Sequence, residues 1–185
     1  MEQKVSFLKR KMPVRVCFLF CVAIGFFVAF SGLLARCDKD LWYTIATGRE
    51  IVANGFPRHS VWNIDRTDGF VVQQWLYCVI AYYLDFLPVW SYSAFAMAQV
   101  VVLAILTNIL LKQRGVSGYK SYITIGVSLV VGSLYIFTHR PETATLILLI
   151  SECIALEKFR SSSKSRYLIW LPVLMLIEMN IHGSM

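Results

Sequence analysis

Along this chain the apolar residues gather into long runs instead of recurring at the period of an amphipathic helix or strand. Val16–Ala35 is 20 residues without a charge, enough to cross about 30 Å of hydrocarbon at about 1.5 Å per residue. Phe86–Leu111 is a longer run and Ser121–Thr138 a third. Pro141–Leu156 has Glu142 at its start and Glu152 within it, and Tyr167–Ile177 stops at Glu178. In lipid each run must be a helix, because a helix satisfies its own backbone hydrogen bonds there. The pattern predicts an all-α integral membrane protein with a single membrane domain over residues 1–185. Its bundle has about five spans, at 14–35, 91–111, 121–138, 141–157 and 167–182. A first outer loop at 36–90 joins the first span to the second.

One apolar stretch is too short to join them. Trp75–Leu87 covers about 20 Å as a helix, carries Asp85, and is rich in Trp and Tyr, which favour the headgroup interface. Basic residues sharpen the choice. They cluster at the N-terminus, at Lys112, Arg114 and Lys120, and at Lys158, Arg160, Lys164 and Arg166. All three clusters fall on the cytoplasmic side if 75–87 lies in the outer interface without crossing. A tilted crossing with a weakly obeyed charge rule is the alternative. In the first arrangement the loop 36–74, the turn His139-Arg140-Pro141-Glu142 and the end Asn180-Ile181-His182-Gly183 all lie outside. The polar chemistry then collects on one extracytoplasmic face.

Composition agrees with this class. The chain is 57% hydrophobic and 16% charged, where soluble domains are roughly 45–50% apolar. The formal charge of +7 sits beside the spans and does not imply nucleic acid. Arg36 follows Ala35 where a cleavage site would need small residues, so the first run reads as an uncleaved span with a cytoplasmic N-terminus. Cys17, Cys21 and Cys153 lie inside spans and make no disulfide framework, although Cys37 and Cys78 are both placed to meet outside the membrane.

Asp38 and Asp40 open the outer loop. From Asp40 the chain reads as an interfacial helix near 40–53, with Asp40 as N-cap, Asn54-Gly55 as C-cap and Pro57 beyond. Leu41, Ile45 and Val52 fall near one face. The two acids are read either as a cap beside a solvated carboxylate, or as a general base or a ligand to a divalent metal near a phosphate. His139 and Arg140 form the turn between two spans. Arg140 suits bidentate phosphate recognition, and the bland alternative is snorkelling to headgroups. Glu178 follows only 11 apolar residues, which places it at hydrocarbon depth, and it shares a helical face with His182. With Asn180 they suggest a polar cavity, and two residues alone do not make a metal site.

The order of these elements resembles the N-terminal part of bacterial membrane proteins allied to the GT-C class of glycosyltransferases. The residues that carry the likeness are Asp38-Lys39-Asp40-Leu41-Trp42, Ala46-Thr47-Gly48-Arg49-Glu50-Ile51, Asn54-Gly55-Phe56-Pro57-Arg58, Gln74-Trp75-Leu76, Arg140-Pro141 and Asn180-Ile181-His182-Gly183. The resemblance implies a polyprenyl-phosphate-linked sugar as donor and a bacterial inner membrane as location. It implies Asp38 or Asp40 as catalytic or metal-organising acid. Taken with the reading of the residues above, His139, Arg140, Glu142, Glu178, Asn180 and His182 are the expected substrate-binding residues. Many members carry an acid after a Thr at the start of the span following the turn. Here the order is Pro141-Glu142-Thr143, and Glu142 stands in that place. Members also continue through further spans, so a C-terminal part or partner subunit is expected to complete the donor site.

Three functions follow. The first is inverting transfer of the sugar to an extracytoplasmic acceptor. The second is a transporter or flippase for a lipid-linked sugar, which would favour internal repeats; none is found. The third is a non-catalytic membrane subunit.

Overall fold

The computed structural model describes residues 39–57, 72–116, 118–135 and 139–182, with the isolated helical positions Ala23, Phe27 and Phe30. Most of the first span expected at 14–35, and with it Asp38, lies outside the described residues. Among the described residues the chain is helical throughout. The helices are α1 (Lys39–Asn54), α2 (Trp75–Leu84), α3 (Trp90–Gln113), α4 (Tyr119–Tyr135), α5 (Glu142–Ser162) and α6 (Trp170–Ile181), with a 3₁₀ turn at Ser165–Tyr167 before α6.

Among the described residues only α3, of 24 residues, is both long and apolar enough to cross a membrane; an 18-residue stretch of it has a mean hydropathy of 2.3. Helices α4 and α6 are shorter than the expected spans. Helix α6 has 12 residues, about 18 Å. It starts at Trp170 and not at Tyr167, because Pro172 is accommodated in a first turn whose N–H groups have no helical partner. Helix α2 has 10 residues, about 15 Å. It stops at Leu84, three residues before the expected end, and Pro88 follows in the turn into α3.

The termini show why the helices stop where they do. Gly55 at φ +82° closes α1, its N–H reaching the Ile51 carbonyl at 2.9 Å; this is the expected left-handed cap. Asp40 lies within the first described turn of α1 and does not precede it. Ser163 at φ +54° closes α5 on the Phe159 carbonyl at 2.7 Å.

Helix α1 packs on α2 through small residues. Thr44, Thr47, Ile51, Leu41 and Ile45 are buried, facing Tyr77, Cys78 and Ala81. A β-carbon on Gly48 would sit 2.0 Å from the Cys78 carbonyl oxygen, so only glycine allows the two backbones this close. That contact turns the buried face of α1 toward Thr44, Thr47 and Gly48. It buries Ile51 and leaves Val52, expected on the inner face, exposed.

The remaining helices form the bundle. Among the described residues helix α5 touches α3 and α6, α2 touches α3 and α6, and the backbone of α4 approaches α3. Val100 and Leu103 of α3 and Ile125 and Leu129 of α4 form its core, with Leu146 and Ile150 of α5 against it. Between α4 and α5, floored by α3, lies an apolar cleft of about 400 Å³. Large apolar side chains cover the outside, including Ile105, Ile123, Val127, Leu156, Trp170 and Leu176, while Ser91, Gln99, Ser121, Thr143, Glu157 and Glu178 are buried.

Helix direction is set at both ends. Tyr92, in the first turn of α3, places its hydroxyl 3.2 Å from the Ala81 carbonyl and 3.0 Å from Asp85 Oδ1. At the other end Arg114 Nε lies 2.9 Å from Glu157 Oε2, and Arg160 Nη2 lies 2.6 Å from Glu157 Oε1. Helices α3 and α5 are therefore parallel, with α4 and α6 running back.

Cys78 is fully buried and its thiol is free, so it is not in the pairing with Cys37 considered above. Burial pushes this thiol up to about 12, because the thiolate would lose its hydration. In the folded chain Cys78 is expected to resist maleimide. Gly48→Ala should destabilise the α1–α2 seam by about 1–3 kcal/mol and make Cys78 reactive. Labelling of both proteins with and without denaturant checks this; equal protection in the two would show that the close approach does not hold the seam.

Candidate functional site

Helix α1 begins at the end of the bundle where α3 and α5 begin and α6 ends. The turn from α4 into α5 arrives there as His139-Arg140-Pro141. Arg140 Nη2 lies 2.8 Å from Asp40 Oδ2, with the two side chains 43% and 62% exposed. A carboxylate in the first turn of α1 is also favoured by the helix dipole. This pair joins the acid in the first turn of α1 to the arginine of the turn before α5.

His139 is buried at 8% exposure and lines a small cavity with Leu41, Tyr77, Tyr92 and Phe95. It sits beneath the turn among α1, α2 and α3, next in sequence to Arg140. Pro141 is the N-cap of α5 and Glu142 its first residue. Glu142 Oε2 is buried without a hydrogen-bond partner.

The C-terminal end of α6 meets the same region. Trp75 Nε1 donates to Asn180 Oδ1 at 2.5 Å, which ties the start of α2 to α6. His182 leaves the helix in extended conformation, yet its N–H still reaches the Glu178 carbonyl at 2.8 Å. Its Nδ1 lies 3.4 Å from Thr145 Oγ1, and that hydroxyl is also 3.3 Å from the Pro141 carbonyl. Glu178 is 2% exposed and turned inward, as its position after a short apolar run requires.

The structure thus brings Asp40, His139, Arg140, Glu142, Asn180 and His182 to one end of the bundle, with Glu178 one helical turn inside. Two contacts were not visible in the sequence: the Trp75–Asn180 bond and the Thr145–His182 contact. In the sequence Trp75 marks an interfacial aromatic and the start of the Gln74-Trp75-Leu76 motif, neither of which names Asn180, and Thr145 carries no signal of its own. The opposite end holds Lys112, Arg114, Lys120, Lys158, Arg160, Lys164 and Arg166. There Lys158 and Arg166 stand over the Tyr167 ring at 5.7 and 5.1 Å.

A divalent metal does not fit the described side chains. No three His, Cys, Asp or Glu groups among them stand close enough to hold one, and the Arg140 guanidinium occupies Asp40. Comparison with known proteins finds no matching family, curated protein or solved structure.

An ion pair this exposed contributes about 0–1 kcal/mol. Asp40→Asn and Arg140→Gln are therefore expected to unfold within about 1 kcal/mol of wild type. Thermal unfolding in detergent checks this; a larger loss in either would make the pair a structural clamp.

Proposed function

We propose that the chain is a polytopic membrane protein that transfers a sugar from a polyprenyl-phosphate donor to an acceptor hydroxyl on the extracytoplasmic side. The observation that carries this reading is the Asp40–Arg140 pair, at the end of the bundle opposite the basic cluster. It couples a carboxylate that can act as a base to a guanidinium that can hold a phosphate. Two further features support the membrane part: the apolar exterior over a partly polar interior, and the gathering of most of the described cations at the opposite end.

In this reading the donor phosphate takes the place of Asp40 on Arg140. The freed carboxylate accepts the proton of the acceptor hydroxyl as its oxygen attacks the anomeric carbon from the face opposite the phosphate. The glycosidic bond forms, the carbon–oxygen bond to phosphate breaks with inversion, and polyprenyl phosphate leaves with the bonding electrons. Arg140 stabilises the charge on the departing phosphate. Helix α2 lies in the outer interface, and Asn180 and His182 border the acceptor side.

Topology is tested with single cysteines in a cysteine-free background, labelled from outside intact cells. Asp40→Cys, Asp85→Cys and Arg140→Cys are expected to label, while Val116→Cys and Ser162→Cys stay protected. Protection at 140 with labelling at 116 would put Arg140 and Asp40 on opposite sides and end the single-site reading.

For the chemistry, Asp40→Asn is expected to lower transfer from a synthetic polyprenyl-phosphate sugar by about 10²–10⁴-fold. Arg140→Lys should mainly raise the KM for donor. Undiminished transfer by Asp40→Asn overturns the mechanism.

A further inference from the structure

The end of the bundle opposite the candidate site holds more cations than carboxylates to pair with them. Glu157 is the one carboxylate described there, and Arg114 and Arg160 both hold it. Among the described residues no acid pairs with Lys158, Lys164 or Arg166, and all three are exposed.

The fold gathers these three around one tyrosine. Ser163 turns the chain out of α5 in left-handed conformation. The 3₁₀ turn then opens at Lys164, whose carbonyl accepts from the Tyr167 N–H at 3.2 Å. This reversal lays the half-buried Tyr167 back against the last turns of α5. Lys158 Nζ stands 5.7 Å from the centre of its ring and Arg166 Cζ 5.1 Å. A cation on a ring face keeps its outward side for an anion. Arg166 Nη2 also donates to the Tyr167 hydroxyl at 3.2 Å, which leaves the hydroxyl's own proton to donate elsewhere. Like charges held this close repel one another, and an anion set among them removes that cost.

The surface beside the cluster is apolar. Ile169, Val173 and Leu176 are 68%, 43% and 65% exposed, and their spacing puts them on one face of α6. Trp170, also exposed, joins Tyr167 in the pairing of aromatics with cations that marks headgroup depth. A soluble anion would use only the cations. A phospholipid uses both surfaces, its phosphate on the cations and its tails along the apolar face.

We propose that Lys158, Lys164, Arg166 and Tyr167 bind the headgroup of an anionic phospholipid, whose acyl chains lie along the exposed face of α6. The inference rests on the membrane part of the reading above and uses nothing of glycosyl transfer.

The test is electron spin resonance of the full chain in phosphatidylcholine vesicles, with trace spin-labelled phosphatidylglycerol or phosphatidylcholine. The protein slows the lipids that touch it, and the slowed fraction of each label gives its relative affinity. Wild type is expected to prefer the phosphatidylglycerol label about 5-fold, and to lose that preference as sodium chloride is raised. The triple variant Lys158→Gln, Lys164→Gln, Arg166→Gln should slow both labels equally, its unchanged fraction of slowed phosphatidylcholine showing that it is still embedded. The double variant Lys112→Gln, Lys120→Gln, altered at the same end on α3 and α4, should keep the preference. No preference in wild type overturns the proposal, as does a preference that survives in the triple variant. An equal loss in the double variant overturns the site in favour of diffuse charge. Displacement of the label by inorganic phosphate at matched ionic strength would assign the cations to a soluble anion and overturn it too. If neither label is slowed, the membrane reading itself fails, and this inference falls with it.

Discussion

A carboxylate cannot be left alone in an apolar interior, and Glu157, 4% exposed near the end of α5, is held by two guanidiniums. One of them, Arg160, comes from its own helix. The other comes from Arg114, just past the end of α3, and this imposes a condition on the whole chain: α3 and α5 must finish at the same level. Because α3 also starts beside α2, through Tyr92 with Ala81 and Asp85, the parallel alignment is complete. Helix α4 then has to return between them, and α6 has to return after them. Every loop that arrives at the far end, including His139-Arg140-Pro141, is delivered there by that alignment.

Helices were legible from the runs of apolar residues, and several of their ends from single residues. Gly55 closes α1 in the left-handed conformation as its position after Asn54 suggests, and Pro141 opens α5. The register of α1 was not legible. Hydrophobicity places Val52 with Leu41 and Ile45, whereas the closest approach is made at Gly48, where backbone meets backbone. Apolar periodicity reports which side chains avoid water; it carries no information on which small residue admits a neighbouring helix. Helix lengths suffered in the same way, since a run of apolar residues continues through a turn such as 165–169 without marking it.

The candidate site was legible as a set of residues and not as a set of contacts. Asp40 and Arg140 are separated by most of the bundle along the chain, and nothing local to either names the other. His139 and Arg140 look equivalent in sequence as polar residues in one turn, yet one is buried beneath it and the other reaches the surface.

Space is distributed unevenly through the described residues. Between α4 and α5, over α3, the cleft of about 400 Å³ leaves room beside Val131, Leu146 and Ile150. At the α1–α2 seam there is none, since a β-carbon on Gly48 would lie 2.0 Å from the Cys78 carbonyl oxygen. A methylene added beside the cleft therefore meets open volume, whereas one added at Gly48 meets backbone, and the tolerance of this protein for larger side chains differs sharply between these two places.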